Sequence, residues 1–213
     1  ARVAALLIAP AVLAAGELPT GGMPTPASVL AALKAGNARY VKGAMAHPHE
    51  ASRDRHELTA GQHPRAVIIG CADSRVSPEI IFDQGLGDLF VVRVAGNVVA
   101  GSGALVKGSI EYGVAVLGTR VLMVLGHTEC GAVKASIAAK AVPGQISSLY
   151  RYIRPAVDEA HGDFEGAIKA NARIQAKLLR DSSPVIASAI AGNTLRVVAA
   201  VYDIASGKVT LLD

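Results

Sequence analysis

The sequence predicts an α/β fold: a mostly parallel central sheet, about four parallel strands plus one antiparallel edge strand, covered by helices and preceded by an N-terminal helical arm. Three observations predict it. Short, largely apolar runs recur at Ala66–Gly70, Leu89–Val94, Val121–Leu125 and Leu195–Tyr202, as expected of strands covered on both faces. Helix-period segments alternate with these runs, which is the pattern of strand–helix–strand units. The composition is rich in Gly and poor in aromatics, at 4%, and suits helices packed closely on a sheet. At 213 residues the chain makes one domain, residues 26–213, behind a segment 1–25 of different character.

Residues 1–15 are almost wholly apolar after a single Arg2, and contain Pro10. The run is too short to span a membrane. It resembles the hydrophobic part of a secretory signal, with Leu13-Ala-Ala15 before Gly16 as a cleavage zone. That reading predicts an exported, periplasmic protein; without it the protein is cytoplasmic. A Gly/Pro-rich linker follows. Thr25-Pro26 opens a helix whose apolar face is Val29, Leu30, Leu33, Ala38, Tyr40 and Val41, with Gly43 to end it. His47-Pro48-His49 reads as a stiff surface turn rather than a metal pair. Residues 51–60 read as a short polar helix stopping at Gly61.

The first strand, Ala66–Gly70, delivers Cys71. Pro78 starts a short helix, and a Gly-rich turn leads into Leu89–Val94. Gly101-Ser-Gly103 lacks the Lys and Ser/Thr of a phosphate loop, and reads as a loop before a helix over 104–118 with Leu105, Ile110, Val114 and Leu117 inward. The strand Val121–Leu125 delivers Gly126-His127, and a helix beginning near Glu129 places Cys130 in its first turn. Two amphipathic helices, 146–160 and 163–180, and a short one, 185–191, precede the strand Leu195–Tyr202. Ser206-Gly207 is a hairpin signal leading into the edge strand Lys208–Leu212.

The formal net charge is +4, with the basic residues scattered. No dense Lys/Arg run or basic–aromatic interleaving is present, so nucleic-acid binding is not indicated. There are only two cysteines. A disulfide is the plain alternative in an exported protein, but each thiol directly follows an apolar strand and has acid–base residues beside it. Cys71-Ala-Asp-Ser-Arg75 and His127-Thr-Glu-Cys130 therefore bring two thiols and an imidazole to the carboxyl edge of a sheet, where ligands bind in open α/β folds. These are three good ligands for Zn2+, and three protein ligands leave a fourth position, as catalytic zinc requires. Asp73 has two uses: to close the site as a fourth ligand, or to pair with Arg75 and leave the metal open. Pairing would keep its carboxylate ionised, an acceptor that could orient a nucleophilic hydroxide. An ordinary structural ion pair is the alternative.

Cys-x-Asp-x-Arg followed by His-x-x-Cys resembles the β-class carbonic anhydrases. The likeness runs from about residue 26 to the C-terminus and includes Gly61-Gln-His-Pro64, Ser109-Ile-Glu-Tyr112 and Val201-Tyr-Asp203. It implies reversible hydration of CO2 to bicarbonate and a proton, with Cys71, His127 and Cys130 as zinc ligands and Asp73 and Arg75 as the catalytic dyad. It also implies substrate contacts from the amide of Gln62, the rings of Phe90 and Tyr112, and the backbone N–H of Gly131. Some of those walls come from a neighbouring subunit in this family, so a homodimer or dimer of dimers is expected. Some members hold inhibitory bicarbonate beside a Trp three residues before the first Cys. Ile68 stands there, and the resemblance then implies no such switch and an Asp73 off the metal. A related zinc hydrolase acting on an isoelectronic molecule such as carbon disulfide, and a non-catalytic zinc-binding module, are the alternative readings.

Overall fold

A computed structural model of the chain describes residues 24–99, 101 and 103–212; the signal-like run and most of the linker lie outside them. In chain order the elements are α1 (Pro26–Val41), α2 (Ser52–Glu57), β1 (Ala66–Gly70), α3 (Pro78–Ile81), β2 (Leu89–Arg93), α4 (Gly103–Ala115), β3 (Val121–His127), α5 (Gly131–Ala138), α6 (Tyr150–Glu159), α7 (Phe164–Ser182), α8 (Pro184–Ala191), β4 (Arg196–Tyr202) and β5 (Val209–Leu211). The sheet order is β2-β1-β3-β4-β5. The first four strands pair in parallel and β5 runs antiparallel to β4, as the sequence predicts.

Alternation along the strands divides the core in two. Ile68, Met123, Leu125, Val198 and Ala200 point to one face and meet Val29 and Leu33 of α1 with Ile81 and Phe82. Val67, Ile69, Leu122 and Val124 point to the other and meet Ile110 and Val114 of α4, Ala172, Ala176 and Leu179 of α7, and Ile186 of α8. Burying each large aliphatic side chain contributes about 1.5–3 kcal/mol. Small residues on α7 and at Gly126 let that helix lie close on the sheet.

Local chemistry sets the helix starts. The Thr25 side chain accepts the Ser28 N–H, with Pro26 in the first turn; Asp163 caps α7 through Gly166 N–H; Ser183 caps α8 through Ile186 N–H, again with Pro in the first turn. The N-terminal helix is locked by Asn37, which donates to the carbonyls of Ile81 and Gly207 and accepts the Val209 N–H. Gly36 lets α1 approach this closely, because a Cβ there would fall 1.8 Å from the Phe82 carbonyl oxygen.

Three expectations need correction. Ala38 and Val41 do not lie on the inner face of α1, which Val29, Leu33, Gly36 and Asn37 form; both are exposed. Leu105 does not point inward; it is 86% exposed. The inner stripe of α4 is Val106, Ile110, Gly113 and Val114, and Leu105 sits five residues before Ile110, about 140° around the helix. Cys130 is not in the first turn of α5 but is its N-cap, with extended backbone, so its thiol lies at the mouth of the helix.

Candidate metal centre

Three elements meet at the carboxyl edge of the sheet. Cys71 directly follows β1, His127 ends β3 beside it, and Cys130 caps α5 after a tight turn in which Glu129 takes a positive φ of 56°. The parallel register places Gly70 opposite Leu125, so the two strands deliver their ligands at nearly the same height. Cys71 Sγ, Cys130 Sγ and a ring nitrogen of His127 lie within 4.8 Å of one another, and all three residues are buried. The cysteines are unbridged.

The donor set fits a metal ion. His127 Nδ1 faces the Thr128 carbonyl at 2.8 Å and donates its proton there, which leaves a lone pair on Nε2. That Nε2 is buried and has no protein hydrogen-bond partner. Such an orphan is expensive unless something accepts its lone pair. Tetrahedral zinc with two sulfurs at about 2.3 Å would space them about 3.8 Å apart, compatible with the observed cluster.

Contact between the two sulfurs drives their proton affinities apart. Cys71 is pulled down to about 4, first by a hydrogen bond from Cys130, against burial, with the Gly96 N–H adding to the effect. Cys130 is pushed up by the same contact with Cys71 and by burial. The titration belongs to the pair. A dication in their midst would favour both as thiolates.

Asp73 lies beside this cluster in a fork from Arg75: Nε–H donates to Oδ1 at 2.9 Å and Nη2–H to Oδ2 at 2.7 Å. The Arg75 backbone N–H adds a third donor to Oδ1 at 3.0 Å. The Arg75 side chain is the main reason the Asp73 carboxyl sits well below the usual carboxylate range. Arg75 in turn touches the Glu129 carbonyl, which ties the Cys71 loop to the His127–Cys130 turn. Asp73 Oδ2 stands 3.9 Å from His127 Nε2.

Sequence reasoning missed Arg93. Its Nε–H donates to the Cys71 carbonyl at 3.0 Å and its Nη2–H to the Asp73 carbonyl. One guanidinium thus pins both ends of the loop that carries a ligand and the acidic residue. The signal was there: a charge at the end of the apolar run Leu89–Val94.

The expected substrate residues divide. The Gly131 N–H is at the first position of α5, beside the cluster, and a Cβ on Gly131 would meet nothing within 4 Å. Phe90 pairs with Val67, four residues before Cys71 and about 13 Å away along the strand. Tyr112 on α4 packs with Phe90, ring centroids 6.3 Å apart, and is 46% exposed. Gln62 precedes the amino end of β1 and is exposed. Phe90 and Tyr112 pack together and Gln62 precedes β1, so all three lie away from the Cys71–His127–Cys130 cluster.

His47 and His49 form no ligand pair. Their Nδ1 atoms face Glu50 and Asp88, at 3.2 and 2.8 Å. Among the described residues Cys71, His127 and Cys130 form the one metal-ligating cluster of this kind, and no helix among them is long and apolar enough to cross a membrane.

A family model described as carbonic anhydrase matches residues 66–209. Carbonic anhydrase 2 of Mycobacterium tuberculosis is 41% identical over 196 residues, covering 88% of this chain and 93% of that protein. A carbonic anhydrase of Mycolicibacterium smegmatis is 40% identical, covering 87% and 93%. Among solved structures, the β-carbonic anhydrase CcaA superposes with a TM-score of 0.68 at 30% identity over 86% of this chain and 95% of that one. Tetrameric β-carbonic anhydrases of Sordaria macrospora give 0.70 at 26% identity over 87% and 97%.

Proposed function

Because the chain belongs to the β-class carbonic anhydrase family, we propose that it hydrates CO2 to bicarbonate and a proton at a zinc ion held by Cys71, His127 and Cys130. The observation that carries this reading is the convergence of these three buried donors, one an orphaned imidazole nitrogen, beside a forked Asp73–Arg75 pair. Zinc bound there supplies Lewis acidity, which makes water nucleophilic at ordinary pH.

The chain's own residues do the rest. Asp73, kept ionised by Arg75, can only accept a hydrogen bond. An acceptor beside the ligand cluster takes the O–H of the attacking oxygen and turns a lone pair toward the carbon of CO2. One C–O bond forms, one C=O bond becomes a single bond bearing the charge, and the proton of water leaves to solvent. The Gly131 N–H, in open space at a helix start, suits an oxygen that gains negative charge. Arg93 keeps the loop from drifting during this change.

The substrate side of the site is supplied by a second copy. Gln62, Phe90 and Tyr112 cannot reach their own cluster across the strand length, yet they offer an apolar wall for CO2 and an amide for bicarbonate. Tyr112 belongs to an exposed apolar stripe along α4 and the residue just past its end, Leu105, Tyr112 and Val116, which suits a contact between subunits. The Sordaria relatives, described as tetrameric, support an oligomer.

Stopped-flow CO2 hydration with and without a zinc chelator tests the proposal. Fast hydration that chelation abolishes and zinc restores is expected. A zinc-loaded preparation with no hydration above background refutes it.

A further inference from the structure

Behind the metal centre lies a chain of buried amides for which the mechanism above has no use. Asn171 and Gln175 stand one turn apart on α7, 1% and 0% exposed. Asn171 Nδ2–H donates to the Gly96 carbonyl at 2.8 Å. Gln175 Nε2–H donates to Asn171 Oδ1 at 3.3 Å and to the Tyr152 carbonyl at 3.4 Å, and its Oε1 accepts the Val99 N–H at 2.9 Å. At the other side of the same glycine, the Gly96 N–H donates to Cys71 Sγ at 3.2 Å. A continuous line of contacts thus runs from α7, through Gly96, to a ligand sulfur.

Two amides on this face call for a reason. Their neighbours on α7, Ala170, Ala172, Ala176 and Leu179, are apolar, and apolar side chains of similar size would fill the space without needing partners. What the amides add is direction. Gly96 has φ 70° and ψ 19°, and Asn97 follows with φ 48°. Two successive left-handed residues make a turn with several accessible wells, one of them a glycine with no side chain to hold it. Fixing the Gly96 carbonyl fixes that turn and, with it, the aim of the Gly96 N–H.

We propose that Asn171, backed by Gln175, is a positioning residue that locks the Gly96 turn so that its N–H stays on Cys71 Sγ, setting how that sulfur is oriented toward, and donates to, the metal. The inference rests on the metal reading above and deepens it. An N–H on a ligand sulfur draws off electron density and restrains the ligand; partners of this kind govern metal affinity as well as ligand direction.

The test uses the full chain loaded with 113Cd and, separately, with Co2+. In the wild-type protein the Gly96 amide proton should couple to 113Cd through the sulfur hydrogen bond. Asn171→Leu, near-isosteric but unable to donate, should lose that coupling. It should also shift the thiolate-to-Co2+ charge-transfer band and weaken metal binding in chelator competition about 10- to 100-fold. Gln175→Met should move all three readouts the same way by less. Ile186→Ala, a buried core change on α8, serves as the control for general destabilisation and should move none of them. If Asn171→Leu fails to fold, Gln175→Met decides by the same readouts. Wild-type coupling, band and affinity in the folded variants overturn the inference, as does an equal effect from Ile186→Ala. A wild-type chain that binds no metal at Cys71, His127 and Cys130 overturns the metal reading and this inference with it; normal wild-type loading with unmoved variants overturns this inference alone.

Discussion

Replacing Asp73 by Asn changes no ligand and hardly any volume, so it isolates what the carboxylate does. In the wild-type chain Asp73 is held by three donors from Arg75, two from the guanidinium fork at 2.9 and 2.7 Å and one from the backbone at 3.0 Å. An amide in place of the carboxylate would have one oxygen for that fork. If the oxygen stays on Arg75, the amide NH2 takes the other place, and the group facing the ligand cluster becomes a donor where an acceptor is required. Losing one preorganised hydrogen bond of this sort costs about 10²- to 10³-fold in turnover, or about 2.7–4 kcal/mol of transition-state stabilisation. Zinc content should be unchanged, because Cys71, His127 and Cys130 are untouched. Stopped-flow CO2 hydration at neutral pH, alongside elemental analysis for zinc, measures both quantities. Turnover within tenfold of wild type at full zinc occupancy refutes the role given to Asp73.

Arg75→Gln removes the main cause of the lowered Asp73 pKa. The carboxylate should then protonate near its ordinary value of about 4, as followed by 13C NMR of the Asp73 carboxyl against pH; a carboxyl that still titrates well below that range contradicts the pairing. The stability sign agrees. A depressed folded-state pKa contributes stability above the ordinary carboxylate range, and that stability is lost as pH falls through the folded value. Gly96→Ala should destabilise by about 2–4 kcal/mol in urea unfolding, from a left-handed backbone and a crowded Cβ. That Cβ would lie 2.8 Å from Ile153 Cδ1 and 3.1 Å from Ala132 Cβ; a loss under about 1 kcal/mol would show that the turn relaxes freely. Cys71→Ser should lose zinc, and Gln62→Ala should keep it while losing turnover. Mixed oligomers of these two should regain activity, because one subunit's metal meets the other's amide; no regain places Gln62 in its own subunit's site.

The strands and the three clustered donors, Cys71, His127 and Cys130, were legible because each is a local signal. A parallel strand covered on both faces reads as an unbroken apolar run, and the chemistry follows at its carboxyl end. Asn171 and Gln175 were not legible, and Arg93 was legible only as a charge out of place in an apolar run; nothing near these residues in sequence names the groups they meet. Arg93 acts on carbonyls 22 and 20 residues away, and Asn171 on one 75 residues away. An amphipathic helix tolerates an Asn or Gln on its inner face only when a distant backbone group is there to meet it, and the sequence does not say which group that is. Periodicity could place α7 against the sheet; it could not distinguish a buried amide from an exposed one.

The misread face of α4 has a different cause, and it bears on function. Leu105, Tyr112 and Val116 share one side of the helix line at spacings of seven and four. Val106, Ile110, Gly113 and Val114 form another stripe more than a quarter-turn around. A helix apolar on two sides belongs between two partners. The chain supplies one of them, its own sheet, and leaves the other stripe exposed. Periodicity counts apolar positions without saying which chain covers them, so it folded Leu105 into the wrong stripe. The same exposed stripe carries Tyr112, which packs on Phe90 at the end of the sheet remote from the ligand cluster. On the proposed reading, the exposed apolar stripe and the distance of Phe90 and Tyr112 from the Cys–His–Cys cluster are two aspects of one arrangement, in which a contact between subunits would also complete the site. Breaking that contact with Leu105→Glu should therefore lower turnover in proportion to the monomer fraction seen by sedimentation, while each monomer keeps its zinc; full activity in the monomer would separate the interface from the chemistry.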